Sequence, residues 1–456
     1  MNSKYENNIS LIIFLIIIGV LTYNIFHYLP ILGYDGEAHH AYVQNFLNIY
    51  YPEKTNQPSI NFTYEYYSPP IPYLLPSFIN EICKWNIQTL EQLNKCRDIY
   101  GTLNILFLSF LFIFIFIIYF KLFNNVLNNN KFFYLSILLT IGIFSANYKA
   151  ISMIRGEVYI VFFNSLLLYN FSKLIMKNFE YNKKDILIFG TTVGLLALSR
   201  QWAFLLFPSY FLLYFFIPLV KRKIYIKFIF LSFMLGLLIS GWFYLDLYIE
   251  YGSLTPFNIN PNFYFFNNIS KNYKTSFLDN FKVFFNNPIR PNFNNYFFPV
   301  LYSDLWGDYW GYFSFTSRDL LAGKNQMKIG GYLGRVNLIS LFPTFYYLFT
   351  FSYLYKSILK KNKSKLDIIH IHIFLSILVV FFGYWLFFLI YQNGSGDTVK
   401  SVYILQLFHF FGLSASLYFE KLRRKNKKSY VLIILLFLFV FIHNISAMTS
   451  HFQFIF

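Results

Sequence analysis

The chain has 456 residues, of which 56% are hydrophobic and only 13% are charged. This composition excludes an ordinary soluble protein of this length and fits an integral membrane protein with many buried spans. The formal net charge of +18 does not indicate nucleic-acid binding, because the Lys and Arg residues form short clusters between apolar runs, as membrane topology requires.

The apolar runs predict an all-α polytopic membrane protein. The first run, Leu11 to Phe26, is not followed by the small-residue cleavage site of a signal peptide, so we expect a first transmembrane helix there. The length that an apolar helix needs to cross a bilayer predicts about eleven spans. They are expected near residues 10–28, 98–120, 132–148, 157–173, 185–200, 202–220, 224–246, 335–355, 367–391, 399–419 and 429–447.

Charge distribution orients these spans. With the N-terminus on the cytoplasmic side, every Lys-rich cluster falls in a cytoplasmic loop, as the positive-inside rule demands. Residues 1–456 then form one transmembrane domain with two long external loops, 29–97 and 247–334. The short apolar segment Pro69 to Lys84 is expected to lie on the outer surface as a juxtamembrane helix, because a crossing there would invert every later loop.

The stretch GYDGEAHHAYVQNF places four titratable groups, Asp35, Glu37, His39 and His40, at a membrane boundary, with a helix expected from Glu37 to Tyr50. A carboxylate there is partly desolvated, which raises its pKa and suits a general base if a nearby cation keeps it ionised. The alternative is an ordinary acidic helix start. The two histidines favour a site, although at most one of them can face the carboxylates, since helical neighbours point about 100° apart.

The same stretch does not predict a tightly held metal. The spacing Asp-x-Glu-x-His-His is not a recognised set of transition-metal ligands, and one short segment would need ligands from elsewhere. A loosely held divalent cation stays open, and no cofactor is certain.

Further charged residues fall at the predicted external membrane surface. They are Glu65, Lys149, Arg155, Glu157, Arg200 and Lys400. External cations break the positive-inside trend and so invite a functional explanation. An anionic phosphate would supply one, with a lipid tail resting between helices. The alternative for each cation is snorkelling to lipid head groups.

Two other features leave alternatives open. The stretch SDLWGDYWGYFSF, residues 303–315, interleaves aromatic rings with Asp304 and Asp308, which suits either a sugar-contacting surface or an interfacial aromatic belt, and we favour the belt. Cys83 and Cys96 both fall outside, where they can form a disulfide or remain free thiols.

The order of these features resembles the GT-C superfamily of membrane glycosyltransferases, and most closely its family 39-like branch. That branch includes protein O-mannosyltransferases and the lipid A aminoarabinose transferase. The residues that resemble it are Asp35 and Glu37 in YDGEAHHAYVQ, Pro69, Pro70 and Tyr73 in SPPIPY, Arg155 and Glu157, and the stretch Trp242 to Asn258. One departure is Ser68, where aminoarabinose-type members have a Lys, so that another cation must bind the donor phosphate.

The resemblance implies a GT-C-type helix bundle with external juxtamembrane helices, and a polyprenyl- or dolichyl-phosphate-linked sugar as donor. Asp35 is implied as the catalytic carboxylate of a hexosyltransferase-type enzyme. It would accept a proton from an acceptor hydroxyl on a lipid, glycan or protein during inverting attack, while Arg155, Arg200 or Lys400 stabilises the departing lipid phosphate. Glu37 is expected to be a second catalytic residue. Glu37 and Glu65 would orient the acceptor or hold a cation, and His39, His40 and Glu157 would contact substrate.

The alternative function is a transporter or flippase for a lipid-linked glycan. It predicts ionisable groups deep within the spans, where the sequence has few. We expect a multi-pass protein whose site faces outside or the lumen, and favour a bacterial plasma membrane over the endoplasmic reticulum. Membrane lipids are expected partners and nucleic acid is not.

Overall fold

Helices make up the regular secondary structure of the residues that the structure describes. The computed structural model describes residues 3–28, 33–50, 65, 67–85, 89–127, 133–254, 281–293, 296–314, 324–391 and 398–450. Apolar runs of this length favour helices because a helix satisfies its own backbone N–H and C=O groups where a bilayer offers no water. The all-α class predicted from the sequence is therefore confirmed.

We number the helices α1 to α18 in chain order. They are α1 (Ser3–His27), α2 (Gly36–Tyr50), α3 (Ile71–Lys84), α4 (Leu90–Leu127), α5 (Phe133–Gly142), α6 (Ser145–Ile151), α7 (Glu157–Met176), α8 (Lys183–Ala197), α9 (Phe207–Leu212), α10 (Leu219–Tyr251), α11 (Phe281–Asn286), α12 (Phe297–Trp306), α13 (Lys324–Ile339), α14 (Leu341–Leu359), α15 (Lys365–Ile390), α16 (Leu405–Lys425), α17 (Lys427–His443) and α18 (Ile445–Met448). Short 3-10 helices cover Gln201–Leu206, Leu213–Phe216 and Ser401–Ile404.

Six helical segments of the described chain are long and apolar enough to cross a membrane. They are Tyr5–His27, Glu91–Asn125, Glu157–Met176, Leu219–Tyr251, Lys365–Ile390 and Ser401–Lys425. Each overlaps a span predicted from the sequence, so the chain is a multi-pass membrane protein by length and composition. The full number of about eleven spans stays a prediction.

The predicted span near residues 132–148 is not one continuous helix. α5 and α6 are bent by 76° relative to each other, and together they would make a seventh span. The break follows Gly142, and Phe144 has an extended backbone that ends one helical direction before α6 begins. All seven residues of α6 are buried, including Lys149. The bend therefore places a buried cation at one end of the helix bundle.

The basic clusters and the predicted site residues occupy opposite ends of the helices that they share. α7 begins at Glu157 and has Lys173 in its last turn, while α8 begins at Lys183 and is followed by Arg200. The Lys365 ammonium donates a 2.7 Å hydrogen bond to the carbonyl oxygen of Met176, which joins the start of α15 to the end of α7. The Lys-rich ends thus gather on one side, away from the predicted site.

The two helices predicted in the first long loop are both present. α2 covers the helix predicted from Glu37 to Tyr50, and α3 covers most of the predicted juxtamembrane segment. Along α3, Leu74, Phe78 and Ile82 are exposed at intervals of four residues, whereas Tyr73 and Asn80 are buried. An exposed apolar stripe of this kind fits the predicted position of α3 at a membrane surface.

The second long loop also contains helices. α11 and α12 lie within the predicted range 247–334, while α10 and α13 extend into its two margins. Residues 255–280 of this loop lie outside the described residues. α12 packs against α6 and against the 3-10 helix Ser401–Ile404, so this loop contributes to the end of the bundle that holds the predicted site.

Candidate active site

Asp35 occupies a strained backbone position directly before α2. Its φ angle of 54° is left-handed, a conformation that Asp tolerates better than most residues but that still costs about 1 kcal/mol or more. The carbonyl oxygen of Asp35 accepts the first helical hydrogen bond from the His39 N–H at 3.1 Å. Asp35 therefore starts the helix, as the alternative interpretation of the sequence expected, but its side chain bonds elsewhere.

The carboxylate of Asp35 forms an ion pair with Lys400. Lys400 Nζ lies 3.0 Å from Asp35 Oδ2, and the lysine side chain is buried while the carboxylate remains 31% exposed. The backbone N–H of Lys400 donates to the Tyr384 hydroxyl at 2.8 Å, and that hydroxyl donates to the Thr398 carbonyl oxygen at 2.9 Å. The cation of the pair is thus anchored by its backbone, and its partner is accessible.

The ion pair sets the charge of Asp35. Burial alone raises the pKa of Asp35, but Lys400 and Arg155 outweigh burial, so the pKa lies well below its usual range. For Lys400, burial acts in the other direction and lowers the pKa. The nearby Tyr403 and Asp35 oppose this effect, and the pKa of Lys400 lies above its usual value. The expected increase in the pKa of Asp35 was therefore wrong in direction, because the contributions that lower the pKa, led by Lys400 and Arg155, together exceed desolvation, which is the largest single one.

Behind this pair lies a chain of buried ion pairs. Arg155 Nε lies 3.2 Å from Glu157 Oε1, which also lies 3.4 Å from Arg200 Nε. Arg200 Nη1 in turn lies 3.5 Å from Glu65 Oε2. The Ser68 hydroxyl donates to the same Glu65 oxygen at 2.5 Å. All five side chains are buried. Four predicted site residues therefore form one network with Ser68, the residue that stands where aminoarabinose-type members have a Lys.

The network is completed by a close backbone approach at Gly156. A Cβ atom at this position would clash with the carbonyl oxygen of Ser199. Because Gly156 lacks that atom, the chain between Arg155 and Glu157 can lie directly against the residue before Arg200. The glycine thus brings the two arginines from separate helix ends to the same glutamate.

Aromatic rings hold the cations together without using their N–H donors. The ring of Tyr403 has its centroid 5.2 Å from the guanidinium carbon of Arg155, 6.0 Å from that of Arg200 and 5.5 Å from Lys400 Nζ. Tyr403 also stacks on Trp202 with centroids 4.9 Å apart. Cation–π attraction of this kind offsets repulsion between cations while leaving their hydrogen atoms able to meet an anion.

The two histidines separate, as helical geometry predicts. His39 Nδ1 lies 2.8 Å from the Tyr73 hydroxyl, and its Nε2 lies 3.6 Å from Glu65. Burial lowers the pKa of His39 to about 4, so at neutral pH this contact joins a carboxylate to a neutral imidazole. His40 instead lies 2.7 Å from the Tyr100 hydroxyl, on another face of α2. His39 thus contacts the network through Glu65.

Glu37 differs from the other predicted site residues. It lies in the first turn of α2 and is exposed, two residues after Asp35 and outside the buried ion pairs. Among the described residues, no group of three or more His, Cys, Asp or Glu side chains is arranged to hold a metal ion. Asp35, Glu65 and Glu157 instead pair with cationic side chains.

A second buried cluster adjoins the first and was not predicted from the sequence. Asp304 forms an ion pair with Lys149 at 2.6 Å and accepts a 2.7 Å hydrogen bond from the Tyr34 hydroxyl. It also accepts from the N–H of Ser401 at 2.7 Å and from its hydroxyl at 2.6 Å. The carboxylates of SDLWGD within an apolar loop were the available signal, but their partners are remote in sequence.

The aromatic residues of the same loop are internal. Trp306 and Trp310 are buried, and their indole N–H groups donate to the Thr344 hydroxyl and to the Val399 carbonyl oxygen at 3.1 Å each. Neither the favoured aromatic belt nor the sugar-contacting surface fits these two side chains, since both interpretations require exposed rings. The reason is that α12 packs inward against α6, which carries the loop into the bundle.

The two cysteines are free thiols in this structure. Cys96 is buried and lies 3.9 Å from the side-chain oxygen of Asn80, whereas Cys83 is partly exposed. The thiols lie at the contact between α3 and α4, apart from the ion-pair network.

The arrangement can bind an anion beside a solvent-accessible carboxylate. Arg155 Nη2 and Glu157 Oε2 are buried atoms that have no hydrogen-bond partner among the described residues, a condition that favours a bound ligand or water.

The comparisons with known proteins add no assignment. No protein-family model matches the chain, and no curated protein matches it significantly.

Proposed function

We propose that this protein is a membrane glycosyltransferase that moves a sugar from a polyprenyl-phosphate-linked donor to an acceptor hydroxyl. The observation that carries the proposal is the ion pair between Asp35 and Lys400, with Arg155 and Arg200 buried behind it. A carboxylate can accept the proton of an attacking hydroxyl, and neighbouring cations can stabilise a departing phosphate. The same site therefore offers both functions that such a transfer needs.

In this proposal the lipid tail of the donor rests between the apolar helices of the bundle. Its Lys-rich helix ends lie opposite the site, and the positive-inside rule would put those ends in the cytoplasm. The proposed site then faces the exterior or a lumen. In this proposal the bundle is of GT-C type with about eleven spans, α3 is a juxtamembrane helix, and the membrane is a bacterial plasma membrane.

The proposed reaction has one displacement step. Asp35 takes the proton of the acceptor hydroxyl as the acceptor oxygen forms a bond to the anomeric carbon of the donor. The bond between that carbon and the phosphate oxygen breaks, and its electron pair leaves with the lipid phosphate. Attack opposite the leaving group inverts the anomeric configuration. Lys400 and Arg155 compensate the charge that develops on the leaving phosphate, where partial burial strengthens their effect.

The charge balance of the site gives Lys400 a further role. Apart from the neutral His39, the described ion pairs of the two adjoining buried clusters contain four cations and four carboxylates: Lys149, Arg155, Arg200 and Lys400 with Asp35, Glu65, Glu157 and Asp304. An added phosphate therefore has to compete with a carboxylate for a cation. Lys400 is the cation whose carboxylate partner is accessible, so donor binding would draw it from Asp35 and raise the pKa of that carboxyl. The base would become stronger only once the donor is bound.

The test is a transfer assay with the purified chain in lipid vesicles. A donor whose sugar is radiolabelled, attached through phosphate to a polyprenyl chain, is supplied with candidate lipid, glycan and protein hydroxyl acceptors. The proposal expects label in the acceptor and free polyprenyl phosphate in equal amount, with no nucleotide added. Movement of intact donor across the vesicle membrane without transfer would instead support the transporter alternative and contradict the enzyme.

A further inference from the structure

We infer that Asp304 is a positioning residue that holds Asp35 and Lys400 together by binding the chain neighbour of each. This inference rests on the proposed function for its catalytic meaning, although the geometry can be tested without substrate. Asp304 lies in α12, a helix of the second long loop, and touches neither member of the pair in any described ion pair or hydrogen bond.

Both oxygens of Asp304 are engaged from different chain segments. Oδ1 accepts from the Tyr34 hydroxyl at 2.7 Å and from Lys149 Nζ at 2.6 Å. Oδ2 accepts from the Ser401 N–H at 2.7 Å and from the Ser401 hydroxyl at 2.6 Å. The side chain is fully buried, so these four donors compensate its charge without water.

Two of these donors stand next to the proposed reactive pair. Tyr34 directly precedes Asp35, and Ser401 directly follows Lys400. One carboxylate therefore connects the backbone on either side of a pair whose members come from opposite halves of the chain. The carbonyl oxygen of Tyr34 also accepts a 3.3 Å hydrogen bond from Arg155 Nη1. Together these contacts restrain the left-handed backbone at Asp35.

A carboxylate that served only to neutralise Lys149 would not need these contacts. Lys149 Nζ also donates to the carbonyl oxygens of Asp304 and Gly307, so it is well satisfied locally. The oxygen Oδ2 makes no contact with Lys149 in these bonds and is used by Ser401 alone. Rigid placement within a fraction of an ångström matters for proton transfer and for stabilising a leaving group.

The variants that test the inference remove one arm at a time. Tyr34→Phe deletes only the hydroxyl bound to Asp304 and keeps the ring, and Ser401→Ala deletes one of two bonds to Oδ2. Tyr148→Phe is a matched control, because the buried Tyr148 hydroxyl donates at 2.9 Å to the Gly142 carbonyl oxygen instead. Each mild variant is expected to fold where Asp304→Asn, which leaves Lys149 poorly compensated, could fail.

The first readout needs no substrate. Cysteines replace Asp35 and Lys400 in a chain carrying Cys83→Ser and Cys96→Ser, and the rate at which they are bridged by a bifunctional thiol reagent as long as the two native side chains is measured. Such a reagent is needed because side chains that meet at their tips leave their backbones too far apart for a direct disulfide. With the Asp304 contacts intact the bridge should form quickly, and Tyr34→Phe should slow it severalfold, whereas the Tyr148 control should not. Equal rates in all three chains would overturn the inference, whether or not the protein transfers sugar.

The second readout uses transfer activity. Loosening the pair weakens the influence of Lys400 on Asp35, so Tyr34→Phe and Ser401→Ala should both move the acid limb of the pH–rate profile to higher pH. A loss of folded protein alone would lower the rate equally at every pH and would count against the inference. Absence of transfer by the parent chain would contradict the proposed function and leave the cross-linking result decisive for Asp304.

Discussion

The carboxylate of Asp35 and the ammonium of Lys400, 365 positions apart in the chain, lie 3.0 Å from each other at one end of the helix bundle. This contact keeps Asp35 ionised at every ordinary pH, since its pKa lies well below the usual range. A carboxylate with so low a pKa is a weak proton acceptor. In the proposed function, the ion pair is therefore the resting state of the site, and donor binding would activate it.

Lys400→Met tests this double role. Without the cation, burial dominates and the pKa of Asp35 rises, so the acid limb of the pH–rate profile should move to higher pH. Loss of a charged contact to the donor phosphate should also raise the donor KM by about tenfold or more. Lys95→Met, at an exposed lysine of α4, is the control and should change neither quantity. An unchanged acid limb would refute the coupling between Lys400 and Asp35.

Glu37 was predicted as a second catalytic residue. Because its side chain is exposed, we expect Glu37→Gln to reduce the transfer rate far less than a substitution of Asp35. A surface substitution changes free energies by about 0.5 kcal/mol or less, so transfer should fall by less than about threefold. The measurement is kcat/KM for the donor at a saturating concentration of acceptor. A loss of about 100-fold would instead return Glu37 to the catalytic role, because that is the lower range for removing a general base.

The buried neutral state of His39 predicts a pH dependence of stability. Its pKa falls from 6.5 to about 4, so the unfolded chain binds a proton below pH 6.5 that the folded chain does not. Stability should decrease as the pH falls from about 6.5 to about 4, by about 2 to 3 kcal/mol for this group. The depressed pKa of Glu65 also reduces stability as the pH falls, but only from about its ordinary value of 4.5 downward, so it overlaps the acid end of that window alone.

Thermal unfolding between pH 7 and pH 4 measures this effect. His39→Gln should flatten the dependence of Tm on pH, whereas His27→Gln, at an exposed histidine at the end of α1, should leave it unchanged. Parallel curves for the parent chain and the His39 variant would show that His39 is already protonated, or that its proton is not linked to folding.

Topology can be tested with single cysteines in a chain without native ones. Asn45 lies on α2 near the proposed site, and Asn426 lies between α16 and α17 at the Lys-rich end. A membrane-impermeant thiol reagent applied to intact cells should label a cysteine at Asn45 but not one at Asn426. The opposite pattern would put the site in the cytoplasm. A second position predicted to be external, Asn267, lies outside the described residues.

Local patterns in the sequence predicted individual helices and charged residues better than their partners. The helix from Glu37 and the position of Asp35 directly before it follow from turn residues, apolar periodicity and charge, all of which are local. The pairing with Lys400 depends on tertiary contacts across most of the chain, which no local pattern encodes. Asp304 was noticed only as part of an aromatic loop, because burial of that loop against α6 results from packing.

The pKa of Asp35 shows the same limitation in energetic terms. Its position at an apolar boundary predicted desolvation, which is indeed the largest influence and raises the pKa. The opposing effects of Lys400 and Arg155 together are greater, and their sum depends on distances that the sequence does not contain. The sign of such a shift therefore needs the structure, even where the groups involved can be named in advance.

The most direct test of the central claim is single-turnover transfer of labelled sugar from polyprenyl-phosphate donor by the parent chain, Asp35→Asn and Asp98→Asn. Asp98 is an exposed aspartate of α4, so its variant controls for the same change of atoms. The rate should fall by about 100- to 10,000-fold in the Asp35 variant alone, as expected for loss of a general base. Transfer that proceeds equally well in all three chains would contradict the assignment of Asp35 as the base.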